Sequence, residues 1–353
     1  MPADAESSAP VLPVPQTPPM PWVARQRESL AAKPGHAWLL QGAAGLGQYE
    51  LAIELAASWL CEAPGTKPCG QCPSCHGIAV RTHADLCVLM PEVTLIERGW
   101  PLDEKAQKDI DEKDRKPSRE IRVEAVREAL EFAQRTSGRG QGKVIVVYPA
   151  ERLNTVSANA LLKTLEEPPG GAQGTRFILA SEAAHLLLPT LRSRCLTHTM
   201  AWPDASEALA WLGAHGMPAA EAATLLRAAG GRPQAALDLA AMGCNAQAWK
   251  QLPQALARGE VAALGGWPAA RALDAMQKLC HDLMARQAGA PPRFFEAADL
   301  PPLSQRAPLS AWSAELQAAA RAVEHPVQAG LQLEAWVSRA RRVLRPPTRT
   351  GAV

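Results

Sequence analysis

The stretch that most restricts the fold is a strand, a glycine-rich turn and a helix in immediate succession. An apolar strand pattern, Ala37–Gln41, enters Gly42-Ala43-Ala44-Gly45-Leu46-Gly47-Gln48-Tyr49, and a helical pattern leaves it with Leu51, Leu55 and Trp59 at i, i+4 and i+8. The alternation continues. Leu86–Met90 is an apolar run, Ile121–Gln134 reads as a helix, and Lys143–Val147 as a buried strand by its β-branched run. Asn154–Glu167 reads as a helix ended by Pro168-Pro169, and Arg176–Ala180 as a further strand. Strands alternating with helices predict an α/β domain with a mostly parallel sheet flanked by helices. Beyond about residue 200 only helical patterns follow: Ser206–Leu212, Ala219–Ala228 and Pro233–Leu239, then longer ones such as Arg271–Arg286 and Leu331–Leu344. A chain of 353 residues has room for two or three domains. The expected division is a flexible Pro-rich leader over 1–20, the α/β domain over 21–200, a small helical domain over 201–243, an all-α domain over 244–346 and a tail over 347–353. Residues 99–119 are dense in Asp, Glu, Lys and Arg and read as a solvated loop.

The turn has the setting of a phosphate-binding P-loop, G-x-x-x-x-G-K-[ST]. Gly42, Gly45 and Gly47 could still shape a nest of backbone N–H groups. The chemistry has gone, however. Gln48 stands where a lysine neutralises the β/γ-phosphates, and Tyr49 stands where a Ser/Thr hydroxyl ligates Mg²⁺. Each lost hydrogen bond to a charged group is worth roughly 1.5–3 kcal/mol. Active P-loop ATPases also place an acidic residue for Mg²⁺ at the end of a strand. The corresponding strand, Lys143–Val147, runs into Tyr148-Pro149. Two readings follow: a strand–turn–helix that holds no ligand, or weak nucleotide binding without hydrolysis. In neither is Mg-ATP expected to be turned over by this chain.

Cys61, Cys69, Cys72 and Cys75 are spaced C-x7-C-x2-C-x2-C. Four thiolates in a short segment fit a structural Zn²⁺ site with tetrahedral S₄ ligation and no open position. A ferredoxin-type iron–sulfur run places a fourth Cys after three further residues; that position is Ala79, which favours zinc. His76 or His83 in place of Cys61 is the alternative ligand set, and ordinary reduced thiols are the plainer one. Cys87, Cys195, Cys244 and Cys280 are scattered and read as packing residues. The leader carries Asp4 and Glu6 and lacks the basic and apolar regions of a signal peptide, so a cytoplasmic location, with reduced cysteines, is expected. No apolar run reaches the ~18 residues of a membrane span.

One further stretch carries a resemblance. Ala158-Asn159-Ala160-Leu161-Leu162-Lys163-Thr164-Leu165-Glu166-Glu167-Pro168-Pro169, followed by Leu191-Arg192-Ser193-Arg194-Cys195, resembles the AAA+-type clamp-loader subunits of bacterial DNA polymerase III. The cysteine cluster, within 61–75, lies where that family has its zinc module. Pro21-Trp22 and the decayed P-loop look like the delta-prime members rather than the ATP-hydrolysing gamma/tau members. The resemblance is dense over about 21–200 and looser in the helical remainder. It implies an AAA+-type α/β domain, a small helical lid and an all-α collar for oligomerisation. It also implies a non-catalytic stator in a hetero-oligomer with gamma/tau and delta, acting through that complex on the sliding clamp and primed DNA during replication. Within the family's Ser-Arg-Cys motif, Arg194, beside Ser193, would reach as an arginine finger into a neighbour's ATP site. Outside the family, the same arginine reads as a surface residue in an ion pair.

The chain departs from the family in two places. The first two cysteines are usually one residue further apart, and Gln234 in Gly231-Arg232-Pro233-Gln234-Ala235-Ala236-Leu237 replaces an arginine that contacts nucleotide in ATP-binding relatives. The competing functions are an active ATPase of the same superfamily with a degenerate P-loop, and a zinc-knuckle nucleic-acid-binding protein. A formal net charge of only +2 weighs against the last, and the basic run Arg339, Arg341, Arg342 and Arg345 reads as a solvated helix face.

Overall fold

The computed structural model describes residues 20–112, 115–170, 174–303, 307–322 and 329–344. The leader before Met20, Arg345 and the tail 347–353 lie outside the described residues. The chain divides into two compact units, residues 1–201 and 202–353.

In the first unit the order is α1 (Pro21–Ala31), β1 (Ala37–Gln41), α2 (Gln48–Leu60), α3 (Pro73–Ala79), β2 (Leu86–Leu89), α4 (Glu92–Glu97), α5 (Glu104–Asp111), α6 (Val123–Gln134), β3 (Lys143–Val147), α7 (Thr155–Glu166), β4 (Thr175–Ser181), α8 (Pro189–Arg192) and β5 (Leu196–Thr199). The strands form one parallel sheet in the order β2-β3-β4-β1-β5. Every residue of β3 is buried, as a parallel strand covered on both faces requires. Ile145 and Val147 meet Phe177, Leu179 and Leu39 under Val126 and Ala129 of α6 and Leu161 and Leu165 of α7. Because side chains alternate along a strand, Val144 and Val146 face the opposite layer, against α2. Asn154 caps α7 by accepting from the Ser157 amide, which starts the helix where the sequence pattern places it.

Two features differ from expectation. The charged stretch 99–119 is not a bare loop: it contains α5, capped by Asp103 on the Ala106 amide. The Arg115 guanidinium donates to Glu92 (Nη2 to Oε1, 2.9 Å), and Glu92 also accepts from the Ser118 amide at 2.7 Å. Charges here are paired within the fold rather than left to water. The edge strand β5, which the sequence patterns do not mark, pairs with β1.

The second unit is helical: α9 (Ala205–Ala214), α10 (Ala219–Ala228), α11 (Pro233–Ala241), α12 (Ala246–Arg258), α13 (Ala269–Gln287), α14 (Leu309–Ala322) and α15 (Ala329–Leu344). It has no strand among the described residues. Its longest helix, α13, buries Leu273, Met276, Leu279 and Leu283, and also Asp282. That carboxylate accepts from the amides of Arg293, Phe294 and Phe295 at 2.7–2.9 Å. The turn it fixes stacks Phe295 on Trp249, with ring centroids 4.6 Å apart. Asp282→Ala leaves three amides short of an acceptor. It is expected to cost about 3 kcal/mol or more, read as a fall in thermal midpoint of several degrees; an unchanged midpoint would show the turn to be held by packing alone. No helix among the described residues is long and apolar enough to cross a membrane.

Candidate functional site

The glycine-rich turn joins β1 to α2 at the C-terminal edge of the sheet. Gly47 caps α2 with φ +92°, and a Cβ there would lie 2.8 Å from Val23 Cγ2 and from Met20 Sδ, so both the backbone and the space demand glycine. Two of the loop's carbonyls are engaged by side chains of the same unit. Gln48, 1 % exposed, folds back and donates from Nε2 to the Ala43 carbonyl at 2.8 Å. The Trp22 indole, buried at the start of α1, donates to the Leu46 carbonyl at 2.8 Å.

Tyr49 and Tyr148, which replace metal ligands, are engaged with neighbouring side chains. Their rings lie 5.4 Å apart. The Arg98 guanidinium sits 3.9 Å from the Tyr49 ring centroid and 5.1 Å from that of Tyr148, and pairs with Glu50 at 3.3 Å. Trp100 Nε1 donates to the Tyr49 hydroxyl at 2.7 Å, and Tyr148 donates to Glu182 at 2.9 Å. Burial pushes the Tyr49 and Tyr148 phenols and the Glu182 carboxyl up, so the phenols stay protonated and supply no anionic ligand. A protein-borne cation therefore stands beside the two residues that replace metal ligands. Arg98 and Trp100 were not anticipated from sequence; they lie about 50 residues along the chain from their partners, and nothing local marks them.

The four cysteines come together. Their sulfurs all lie within 4.8 Å of one another, with Cys61–Cys72 and Cys69–Cys75 each at 3.9 Å. Four sulfurs at about 2.3 Å from one tetrahedral ion stand about 3.8 Å apart, so the donor set fits a metal. Backbone amides point at the sulfurs: Cys69 to Cys61, Gln71 and Cys72 to Cys69, and Cys75 to Cys72, at 3.3–3.5 Å. Such donors favour thiolates. Burial works against ionisation at Cys72, but the Cys75 and Glu62 amides outweigh it and hold that thiol down to about 6. Cys61 completes the set rather than a histidine. Both ring nitrogens of His83 are engaged, by Ser74 Oγ at 2.9 Å and by the Asp85 amide at 3.0 Å, and exposed His76 lies outside the cluster. Cys244 and Cys280 are buried, Cys87 and Cys195 half-buried, and burial raises all four thiols.

Arg194 follows α8, with Ser193 exposed beside it. Its guanidinium pairs with Glu166 at the end of α7 and donates to the Thr190 carbonyl at 2.9 Å. The pair is partly open, at 28 % and 51 % side-chain exposure. An ion pair in that setting is worth about 0–1 kcal/mol and is readily exchanged for a better anion. In the second unit, Gln234 bonds Asp238 within α11, and Arg339 pairs with Glu315.

The sequence model of the family described as DNA polymerase III, delta subunit, matches residues 23–203. The chain is 37 % identical over 219 residues to the DNA polymerase III subunit delta' of Pseudomonas aeruginosa, covering 61 % of this chain and 59 % of that protein. It is 36 % identical over 244 residues to the Escherichia coli subunit of the same name, covering 67 % and 65 %. The chain thus spans less than two thirds of the length of these two relatives. It is also 33 % identical over 162 residues to the Escherichia coli subunit tau, covering 46 % of this chain and 21 % of that one.

Proposed function

This chain belongs to the DNA polymerase III delta-subunit family, and from that footing we propose that it is the delta-prime-type, non-hydrolysing stator of a clamp loader. In this role it assembles with gamma/tau-type and delta-type subunits, and the assembled loader uses ATP held by its partners to place a sliding clamp on primed DNA. The small helical segment 201–243 serves as the lid and 244–346 as the collar that joins the ring of subunits. Cys61, Cys69, Cys72 and Cys75 hold one Zn²⁺, whose chemistry is structural: it crosslinks the end of α2 to α3.

The observation that carries the non-hydrolysing role is the cation set beside the residues that replace the lysine, hydroxyl and acid. Gln48 occupies the turn's own carbonyl, and Arg98 lies across Tyr49 and near Tyr148. A bound Mg²⁺ would meet a fixed cation and two neutral phenols, and the nearby carboxylates of Glu50 and Glu182 are already engaged by Arg98 and Tyr148. Restoring the lysine alone, Gln48→Lys, is therefore expected to give no ATP hydrolysis above background, because the metal still lacks ligands. Hydrolysis by that single variant in a phosphate-release assay would contradict this.

Arg194 is the group the chain offers outward. Its pairing with the half-exposed Glu166 is exchangeable, and a neighbour's γ-phosphate is the stronger partner for a planar fork. The assembly test is co-purification. The full chain is expected to co-elute with gamma/tau-type and delta-type subunits, and elution as a separate species from an otherwise complete mixture would overturn the assignment.

A further inference from the structure

At the N-terminal edge of the sheet, away from the P-loop-like turn, a basin of about 500 Å³ is lined by Ser58, Trp59, Lys67, Gln141 and Arg176 among others. Its lining holds two cations and no carboxylate. Several other cations in this unit are paired, such as Arg98 with Glu50, Arg139 with Glu62, Lys143 with Asp85 and Arg194 with Glu166. Arg176, on β4, lies 4.9 Å from the ring centroid of Trp59 and has no acceptor or acidic partner among the described residues. Burial lowers its pKa with nothing to oppose it. A half-buried guanidinium in that state gains from an added anion.

We propose that this basin is a binding site for a phosphate group, held by Arg176 and Lys67. The chemistry selects phosphate over carboxylate. Arg176 offers a planar fork already oriented by the indole face, and Lys67 offers a point charge. Lys67 Nζ spends one donor on the Cys61 carbonyl, at 2.8 Å, which fixes the ammonium and leaves further N–H groups to share. Gln141 adds an amide at the rim. Together these donors outnumber the two oxygens of a carboxylate but match the oxygens of a phosphate. Trp59 is 8 % exposed and covered by Arg176, so its ring face is not offered to a stacking base. The phosphate is therefore read without its base, whether it is free or part of a nucleic-acid backbone.

The tests use the full zinc-loaded chain. One arm titrates inorganic pyrophosphate, followed by ³¹P line broadening, and the other titrates a labelled oligonucleotide duplex, followed by anisotropy. Wild type is expected to bind at least one of the two, and Arg176→Gln to weaken that binding about tenfold or more, the factor for losing a hydrogen bond to a charged group. Arg176→Lys should recover only part. Zinc content and thermal midpoint check each variant, and Arg176→Gln leaves the Lys67–Cys61 contact untouched. Loss in the oligonucleotide arm alone assigns the site to phosphodiester, and loss with pyrophosphate as well assigns it to the phosphate group in general. Binding unchanged in Arg176→Gln, no binding of either probe, or binding of a poly-glutamate peptide in place of both overturns the proposal.

Discussion

Arg194→Ala is expected to abolish most ATP turnover at the adjacent site of an assembled loader while leaving the isolated chain nearly unchanged. In isolation the residue has a partly exposed ion pair with Glu166 and one bond to the Thr190 carbonyl, so its loss should move the thermal midpoint by no more than a degree or two. In the complex the same guanidinium would face a developing charge on a transferring phosphoryl group. Fingers in that position contribute on the order of 10³–10⁵ in rate. The loss for the whole complex will be smaller, because other sites keep their own arginines. Arg194→Lys should rescue poorly, since an ammonium keeps the charge without the fork. Glu166→Ala separates the two roles of the pair: it frees the arginine without removing it, so turnover should be kept. The assay is steady-state ATPase of the reconstituted loader with clamp and primed DNA. Equal rates for wild type and Arg194→Ala, with assembly verified by gel filtration, would leave Arg194 as a surface ion pair only.

The second large effect is expected at the cysteine cluster. Purified wild type should carry one zinc per chain, and Cys72→Ser should carry close to none. Cys72 is the hinge of the knuckle: its sulfur caps α3 and lies 3.9 Å from that of Cys61. Without metal, four polar sulfurs crowd together with only amide donors to satisfy them, and Cys61 and Cys75 are buried. The cost is about 3 kcal/mol or more, or roughly 6–12 °C in thermal midpoint for a unit of this size. Zinc should also be released as pH falls, because protons compete for thiolates. Metal analysis by mass spectrometry checks the first statement and calorimetry the second. A wild-type protein free of zinc, or one holding iron with a visible chromophore, would contradict both.

Much of this was legible in the residues. Four of the five strands stand where β-branched and apolar runs place them, β3 most clearly because both its faces are covered. The cysteine spacing was enough to draw the four sulfurs together, and the geometry then chose Cys61 over His83 by using up both histidine nitrogens. Strand β5 was missed because Leu196–Thr199 is short, mixed and exposed at a sheet edge, so hydrophobic periodicity does not mark it. Helix α5 was missed because it is held by the Asp103 cap and by Arg115 on Asp109 rather than by a broad apolar face. The same blind spot hid the main finding at the glycine-rich turn. The sequence revealed that a lysine, a hydroxyl and an acid were missing there. It did not reveal that Arg98 and Trp100 pack against the two tyrosines.

The central claim is that this chain serves a nucleotide-driven assembly without using nucleotide itself. Calorimetric titration of the isolated full chain with Mg-ATP tests it most directly. The account predicts no phosphate release, and any saturable heat below about 1 mM should disappear in Arg176→Gln, because at the glycine-rich turn Gln48 replaces the phosphate-binding lysine and Arg98 lies over Tyr49, where a metal ligand would stand. Micromolar binding of Mg-ATP accompanied by turnover would contradict it.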